Sequence, residues 1–315
     1  MFANPLNALP VPVKQDAEAR GCYVQAWLQP WLRLPAMKAA RILLWHLIID
    51  VRIRPRHDNS VVMRHLQNSI AAVLLLLAAP AFARDMLPPG FVYLRDVDQS
   101  IVQDIRYATS DNFTGHPLPG YGAGECILRR EAAEALKRVQ AELARENLSL
   151  KVYDCYRPTR AVRAMEDWAR DAEDSGATKR FYPALRKRNL FTLGYIAAQS
   201  KHSTGTTVDL TLIELPSSAA ARFDLAAHYG PCTGPAAKRA PDNSVDMGTG
   251  FDCFDVKSYG ANRTISTEQR RWRNVLNAAM RRHGFANYFR EWWHYSYGAA
   301  SEPRAYDFAI VPRTR

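Results

Sequence analysis

The spacing of apolar residues predicts three amphipathic helices in the C-terminal part of the chain. The first covers residues 129–147, where four apolar side chains fall at i, i+4, i+7 and i+11 and share one helical face: Ala132, Leu136, Val139 and Leu143. The second covers residues 159–174. The third begins at Ser266 or Thr267, both common N-cap residue types, and Gly284 ends it.

Shorter alternating or β-branched stretches predict strands between these helices. Residues 150–156 alternate and run into Arg157-Pro158, and because proline disfavours helical conformation in the preceding residue, we expect Arg157 at the end of a strand. Residues 206–208 are β-branched and favour a strand that leads into Asp209. Residues 288–297 are rich in aromatic side chains and predict a further strand. The pattern therefore indicates a mixture of helices and strands.

Residues 63–83 have the pattern of a secretory signal peptide. A basic start at Met63 precedes a short apolar run, and an A-x-A site follows at residues 81–83. The apolar run is shorter than the ~20 residues that a bilayer span needs, so we expect no stable membrane span after cleavage. The mature domain, residues 84–315, is therefore predicted to be exported to the periplasm.

Residues 1–62 precede this segment and carry no motif that we can interpret. Signal peptides stand at true N-termini, whereas this one begins at Met63. We therefore hypothesise that Met63 is the natural start, and that residues 1–62 come from an over-extended reading frame and are not part of the fold. The alternative is a genuine N-terminal anchor.

Charge and cysteine content narrow the function further. The net charge of +11 is not concentrated in a stripe of Lys and Arg between aromatic residues, so we expect no nucleic-acid partner.

Four of the five cysteines lie in the exported part, and an even number in an oxidising compartment suits two disulfides. Three pairings of the four cysteines are possible, and we prefer the one in which each bond joins a local unit, Cys126 with Cys155 and Cys232 with Cys253. Residues 215–243, rich in Ala, Pro and Gly, indicate an insertion or a long loop.

Two distant segments carry the residue types of a hydrolytic metal centre. His202 and Asp209 are seven residues apart, and Glu291 and His294 are three apart. In a catalytic zinc site three protein ligands hold the ion, water takes the fourth position, and a carboxylate outside the ligand set moves the proton. A lone histidine is more often a packed or surface residue, so the specific signal is the combination of the two segments.

The spacing within each segment constrains the local fold. On one continuous helix, His202 and Asp209 would be ~10 Å apart along the axis, and one ion with ligand bonds of ~2 Å cannot span that distance. The chain must therefore turn between them, and residues 203–205 are turn formers. Glu291 and His294 would point to opposite faces of a regular strand, so a bend or bulge near Trp292 is required for both to face one metal.

Both segments resemble known zinc motifs. SKHSTGTTVDLTL at residues 200–212 and EWWHY at residues 291–295 resemble the SxHxxGxAxD and ExxH motifs of the D-alanyl-D-alanine dipeptidases of the vancomycin-resistance type, zinc metallopeptidases of family M15. Thr207 replaces the usual Ala. The likeness covers roughly residues 90 to 300 and includes three further segments: 104–115, 153–158 and 246–255. It implies a single α+β domain in which helices pack on a small antiparallel sheet.

The resemblance also implies a role for each candidate residue. It implies one zinc ion per chain, held by His202, Asp209 and His294. Glu291 is then the general base, and Arg157 of the YRP motif stabilises the oxyanion. Ser200 is expected either to hydrogen-bond the substrate or to cap the turn. The implied substrate is the D-Ala-D-Ala dipeptide, a peptidoglycan fragment, and the implied role is wall turnover or dipeptide salvage.

Two other functions remain open from the sequence. A DD- or LD-carboxypeptidase or endopeptidase would use the same zinc chemistry on longer peptidoglycan peptides, and would need an open groove. A non-catalytic, zinc-stabilised binding module is the other alternative. Glu291 argues against it, because a structural zinc site closes its fourth position and needs no base.

Overall fold

The computed structural model describes residues 87–171, 176–217, 221–298 and 304–313. Residues 1–62 and the predicted signal peptide lie outside these ranges. Within them, no helix combines the length and the apolar character that crossing a bilayer requires.

The described ranges contain four α-helices: α1 Leu94–Val97, α2 Arg130–Leu143, α3 Thr159–Arg170 and α4 Thr267–Arg282. The three longer helices are the three predicted ones. Helix α2 buries the face predicted from its apolar spacing. Helix α4 begins with a capping box in which Ser266 and Gln269 exchange side-chain and backbone hydrogen bonds, and Gly284 follows its end at φ +89°. The predicted last turn of α3, up to residue 174, lies largely outside the described residues.

The same ranges contain seven strands: β1 Phe91–Tyr93, β2 Val102–Gln103, β3 Ile127–Arg129, β4 Leu148–Asp154, β5 Thr207–Glu214, β6 Phe285–Asn287 and β7 His294–Tyr297. Strands β1 and β3 form a two-stranded antiparallel sheet, and the other five form a sheet in the order β2-β4-β5-β7-β6. The predicted α+β class is confirmed. One detail differs, because β2 pairs with β4 in parallel whereas the other pairs are antiparallel.

Two strands differ from the sequence prediction in their bounds. Strand β4 ends at Asp154, and its pairing with β5 shifts between Val152 and Asp154, which is the signature of a bulge at Tyr153. Strand β7 begins only at His294. The preceding residues form a turn instead of a bent strand, because Glu291 N–H bonds to the Tyr288 carbonyl oxygen at 3.0 Å.

The core lies between the main sheet and the helices. Strand β4 is buried along its whole length. Helix α2 contacts β4, helix α4 contacts β5, and the two helices contact each other. Trp292 and Trp293 are also buried in the core. The structure pairs Cys126 with Cys155 and Cys232 with Cys253, the pairing preferred from the sequence.

Candidate active site

His202 lies in a one-turn 3-10 helix, Lys201–Thr204, that leads directly into strand β5. Ser200 caps this turn, because its Oγ accepts a hydrogen bond from the His202 backbone N–H at 3.3 Å. Gly205 closes the turn at φ +77°, and a Cβ there would lie 2.3 Å from Phe91 Cε1. Only glycine therefore lets the chain enter β5 at this point. The turn predicted after His202 is confirmed.

Asp209 and His294 are direct partners in the antiparallel pair β5–β7, so their side chains lie on the same face of the sheet. His202 Nε2 lies 3.3 Å from Asp209 Oδ2 and 3.3 Å from His294 Nδ1. Asp209 Oδ1 lies 3.1 Å from His294 Nδ1. The structure therefore brings the three residues of the predicted ligand set into one cluster.

The spacing of these atoms fits a tetrahedral metal ion. Ligand bonds of ~2.0–2.1 Å at tetrahedral angles place neighbouring ligand atoms ~3.3–3.4 Å apart. His202 Nε2 and His294 Nδ1 are 3.3 Å apart, and each lies 3.1–3.3 Å from one oxygen of the Asp209 carboxylate, Oδ2 for His202 and Oδ1 for His294. With one ligand atom taken from each residue, the three atoms lie within 4.8 Å of one another. In addition, Asp209 Oδ1 is buried without a hydrogen-bond partner, which is costly unless a cation compensates its charge. Two imidazoles and one carboxylate in this arrangement fit a divalent metal.

The second ring nitrogen of His202 fixes the orientation of its imidazole. His202 Nδ1 lies 2.7 Å from the carbonyl oxygen of Cys155. Because a carbonyl oxygen can only accept, Nδ1 carries the ring proton and donates a hydrogen bond to that oxygen. Nε2 consequently keeps its lone pair and directs it into the cluster. Asp154 Oδ2 lies 3.3 Å from the same Nδ1 and adds a negative charge behind the ring.

The electrostatics of the cluster favour an ionised carboxylate. Burial alone raises the pKa of Asp209, but the imidazoles of His202 and His294 outweigh burial and hold that pKa well below its usual range. Burial lowers the pKa of His294, while the adjacent Asp209 carboxylate raises it, and the net shift is upward. The cluster therefore attracts positive charge.

Glu291 lies beside the cluster without belonging to it. Its Oε2 is 3.4 Å from His294 Nδ1, and its side chain is 16 % exposed towards the pocket. Burial, partly opposed by the charge of His294, raises the pKa of Glu291 to about 7. Asn287 holds the intervening turn, because its Nδ2 donates to the carbonyl oxygens of Glu291 at 2.8 Å and of His294 at 3.0 Å. A carboxylate with this pKa can exchange a proton near neutral pH.

Arg157 points into the same pocket from the end of β4. Its Nη2 lies 2.8 Å from Asp154 Oδ2 and 3.5 Å from Asp209 Oδ2. The guanidinium carbon lies 4.8 Å from the centre of the Tyr107 ring. The side chain is 12 % exposed, so Arg157 is a fixed, largely buried cation next to the candidate metal cluster.

Two buried carboxylates near the site were not assigned from the sequence. Asp154 accepts hydrogen bonds from Tyr121 Oη at 2.6 Å and from Arg157 Nε at 2.9 Å. The sequence signal was its position three residues before Arg157, within the 153–158 segment.

Asp252 is the second of these carboxylates. It adopts a left-handed conformation at φ +54°, and its Oδ2 accepts a hydrogen bond from Tyr107 Oη at 2.7 Å. Burial, with a further contribution from the charge of Asp209, raises the pKa of Asp252 well above its usual range. Its only sequence signal was its place in the 246–255 segment.

The cluster opens into a pocket with a volume of about 370 Å³. Ser200, Arg157 and Glu291 all line this pocket. Part of its wall is apolar: Phe113, Val162, Met165, Ile196 and Phe254. An apolar pocket with a few convergent charged groups is the usual form of a site for a small molecule.

Comparison with known proteins identifies the family of this chain. A family model described as D-Ala-D-Ala dipeptidase, Peptidase M15, matches residues 88–222 and 238–312. Residues 223–237, within the predicted loop, are not matched.

Individual relatives agree with the family model. A D-alanyl-D-alanine dipeptidase of Enterococcus faecalis is 33% identical over 222 residues, which are 70% of this chain and 98% of the relative. A D-alanyl-D-alanine dipeptidase of Streptomyces coelicolor is 34% identical over 222 residues, again 70% of this chain and 98% of the relative. One of Escherichia coli is 27% identical over 201 residues, 64% of this chain and 81% of the relative. The chain therefore belongs to the D-Ala-D-Ala dipeptidase family of peptidases, family M15.

Proposed function

We propose that this protein is a zinc-dependent dipeptidase that hydrolyses D-Ala-D-Ala to two molecules of D-Ala. The observation that carries the proposal is the cluster of His202, Asp209 and His294, whose ligand atoms lie within 4.8 Å of one another, with Glu291 directly beside it. The relatives described above bear the name D-alanyl-D-alanine dipeptidase, which supports the choice of substrate.

The ligand set supports zinc as the metal. His202 Nε2, the Asp209 carboxylate and His294 Nδ1 would hold the ion, and two imidazoles with one carboxylate suit zinc in a catalytic site with an open fourth position. When bound, zinc supplies a Lewis acid that polarises the scissile carbonyl and lowers the pKa of the attacking water towards neutral.

Glu291 moves the proton in this proposal. Its carboxylate accepts a proton from the attacking water and delivers it to the nitrogen of the leaving D-Ala. The pKa of about 7 lies near neutral pH, which is the condition under which one group can serve as base and then as acid at that pH. Its position 3.4 Å from a metal ligand puts it within reach of that water.

Arg157 stabilises the negative charge that develops on the carbonyl oxygen. Asp154 and Tyr107 hold its guanidinium in place, so its orientation is fixed before the substrate binds. Ser200 caps the His202 turn as an acceptor, which leaves its own hydroxyl proton free to be donated to the substrate.

The pocket volume supports a short substrate. D-Ala-D-Ala fills on the order of 200 Å³ at the packing density of organic crystals, so the pocket of about 370 Å³ holds the dipeptide together with water. We further propose that the domain acts after export through the segment 63–83, in peptidoglycan turnover or dipeptide salvage.

The test is hydrolysis by metal-free protein with and without added zinc. We expect release of D-Ala from D-Ala-D-Ala only when zinc is present, and much slower release from a pentapeptide ending in D-Ala-D-Ala. Faster hydrolysis of the pentapeptide would instead indicate a carboxypeptidase. Stoichiometric zinc binding without hydrolysis of either peptide would indicate a binding module.

A further inference from the structure

The Cys126–Cys155 disulfide joins the two sheets of the domain directly behind the metal-ligand cluster. Cys126 precedes β3 in the two-stranded sheet, and Cys155 follows β4 in the five-stranded sheet. In the part of the chain that the structure describes, no strand ladder connects the two sheets. The disulfide is accompanied by a hydrogen bond from the Tyr156 N–H to the Ile127 carbonyl oxygen at 2.9 Å.

The segment after β4 delivers two groups to the active site. The Cys155 carbonyl oxygen accepts the hydrogen bond from His202 Nδ1 at 2.7 Å. Two residues later, the Arg157 N–H bonds to the His202 carbonyl oxygen at 3.3 Å, and the Arg157 guanidinium enters the pocket. A displacement of Cys155 would therefore move both the support of a metal ligand and the proposed oxyanion-stabilising group.

The other end of the disulfide is firmly anchored. The Cys126 N–H donates to Gln103 Oε1 at 2.9 Å, and the Cys126 carbonyl oxygen accepts from the Leu94 N–H at 2.8 Å. Cys126 and Cys155 are 0 % and 2 % exposed. The bond is thus shielded from solvent, which suits a permanent link and not a redox switch.

We propose that the Cys126–Cys155 disulfide is a positioning element of the active site, which holds the Cys155 carbonyl against His202 and holds Arg157 in the pocket. The proposal rests on the proposed zinc dipeptidase function. Outer partners of metal ligands influence metal affinity through the orientation of the ligand, and Cys155 is such a partner of His202.

The second disulfide provides a matched control. Cys232 N–H bonds to the Arg180 carbonyl oxygen, and the Cys232 carbonyl oxygen accepts from Gly250 N–H, so this bridge ties the 223–237 segment to its neighbours. No contact of Cys232 or Cys253 in the described ranges reaches His202, Asp209 or His294. Its loss should lower the melting temperature without changing the metal cluster.

The experiment compares two double variants of the full-length exported protein. The first carries Cys126→Ala and Cys155→Ala together, and the second carries Cys232→Ala and Cys253→Ala together. Zinc affinity is measured by competition with a chelator, and kcat and KM are measured with D-Ala-D-Ala, each well below the melting temperature of the protein. For the first pair we expect zinc to bind ~10-fold or more weakly, and kcat to fall by a similar factor with a smaller change in KM. For the second pair we expect a lowered melting temperature and unchanged zinc affinity.

Equal zinc affinity and kcat in the first pair and the wild-type protein would overturn the proposal. So would an equal loss of zinc affinity in both pairs, or failure of the first pair to fold, since either result would mean that the bond only stabilises the domain. If the wild-type protein bound zinc but did not hydrolyse D-Ala-D-Ala, the proposed function would fail. The comparison of zinc affinities would still test the role of the disulfide.

Discussion

Asp209 and His294 face each other across strands β5 and β7, with 3.1 Å between Oδ1 of the first and Nδ1 of the second. Strand pairing thus sets the spacing of two candidate ligands that are 85 residues apart in the chain. The third candidate ligand, His202, comes from a tight turn and is oriented by a backbone carbonyl group. The scaffold therefore positions all three side chains.

Replacement of any one metal ligand should remove metal and activity together. His202→Ala, Asp209→Ala and His294→Ala each leave two ligands, and a site of this kind does not hold zinc on two. Metal content of the purified variants, measured beside turnover, checks this. His228→Ala, at an exposed histidine, is the control and should keep its zinc. Full zinc occupancy in a ligand variant would remove that residue from the set.

Glu291→Gln should separate proton transfer from metal binding. The amide keeps the size and polarity of the side chain but cannot accept the proton, so zinc content should be normal and kcat should fall by ~10²–10⁴. The exposed Glu268→Gln is the matched control. A metal-free Glu291→Gln protein would show that Glu291 is a ligand. A fully active one would show that another group moves the proton.

The activity should decline on the acidic side as Glu291 takes up a proton. Its carboxylate form is required, and protonation occurs below its pKa, so the rate should fall by about tenfold for each pH unit below that pKa. Burial raises this pKa to about 7, and the charge of a bound cation would lower it, so the acidic limb of the profile should lie below pH 7. The profile of kcat/KM against pH checks this. A rate that stays constant down to pH 4 would contradict the assignment.

Arg157→Ala should lower kcat and leave the metal in place. Loss of a fixed cation next to the developing oxyanion should cost ~10²–10³ in kcat. Arg157→Lys should recover only part of that loss, because an ammonium group cannot contact Asp154 through two nitrogens as the guanidinium does.

Arg163→Ala is the control for the loss of an arginine side chain. Arg163 lies close to Arg157 in the chain, in helix α3, but its side chain is 62 % exposed, so this variant should behave as the wild type. A change confined to KM in Arg157→Ala would indicate ordinary substrate binding in place of stabilisation of the transition state.

The exported protein should begin at Arg84. Cleavage after the A-x-A site at residues 81–83 removes the apolar segment, and N-terminal sequencing of the natural protein checks the position. A chain that starts at Met63 should be exported and fully active. A natural protein that retains any residue before Met63 would contradict the hypothesis of an over-extended reading frame.

The sequence predicted those parts of the site that local spacing determines. The turn at Gly205 followed from residue types between two candidate ligands, and the helices followed from apolar periodicity. The position of Glu291 in a turn before β7, in place of a bent strand, depends on hydrogen bonds to Asn287 and Tyr288. The aromatic composition of residues 288–297 favours a strand and does not show where such a turn falls within it.

The roles of the two buried carboxylates were beyond sequence reasoning for a related reason. Asp154 contacts Tyr121 and His202 only because separate segments converge behind the cluster. Asp252 reaches Tyr107, 145 residues away, from a left-handed backbone conformation that is uncommon for a residue other than glycine. Both contacts are products of the tertiary fold.

The bulge at Tyr153 makes the length of strand β4 a condition for the geometry of the candidate site. Val152 pairs with Leu210, and Asp154 pairs with the neighbouring Asp209. Strand β4 therefore holds one residue more than β5 between these two pairs, and that residue is Tyr153. Deletion of that residue would restore regular alternation and shift every later side chain of the segment by one position. The guanidinium and carbonyl groups that follow would then miss the metal ligands, even if the sheet still formed. We therefore expect the domain to be more sensitive to the loss of one residue here than to a change of length in residues 223–237, which the family model leaves unmatched.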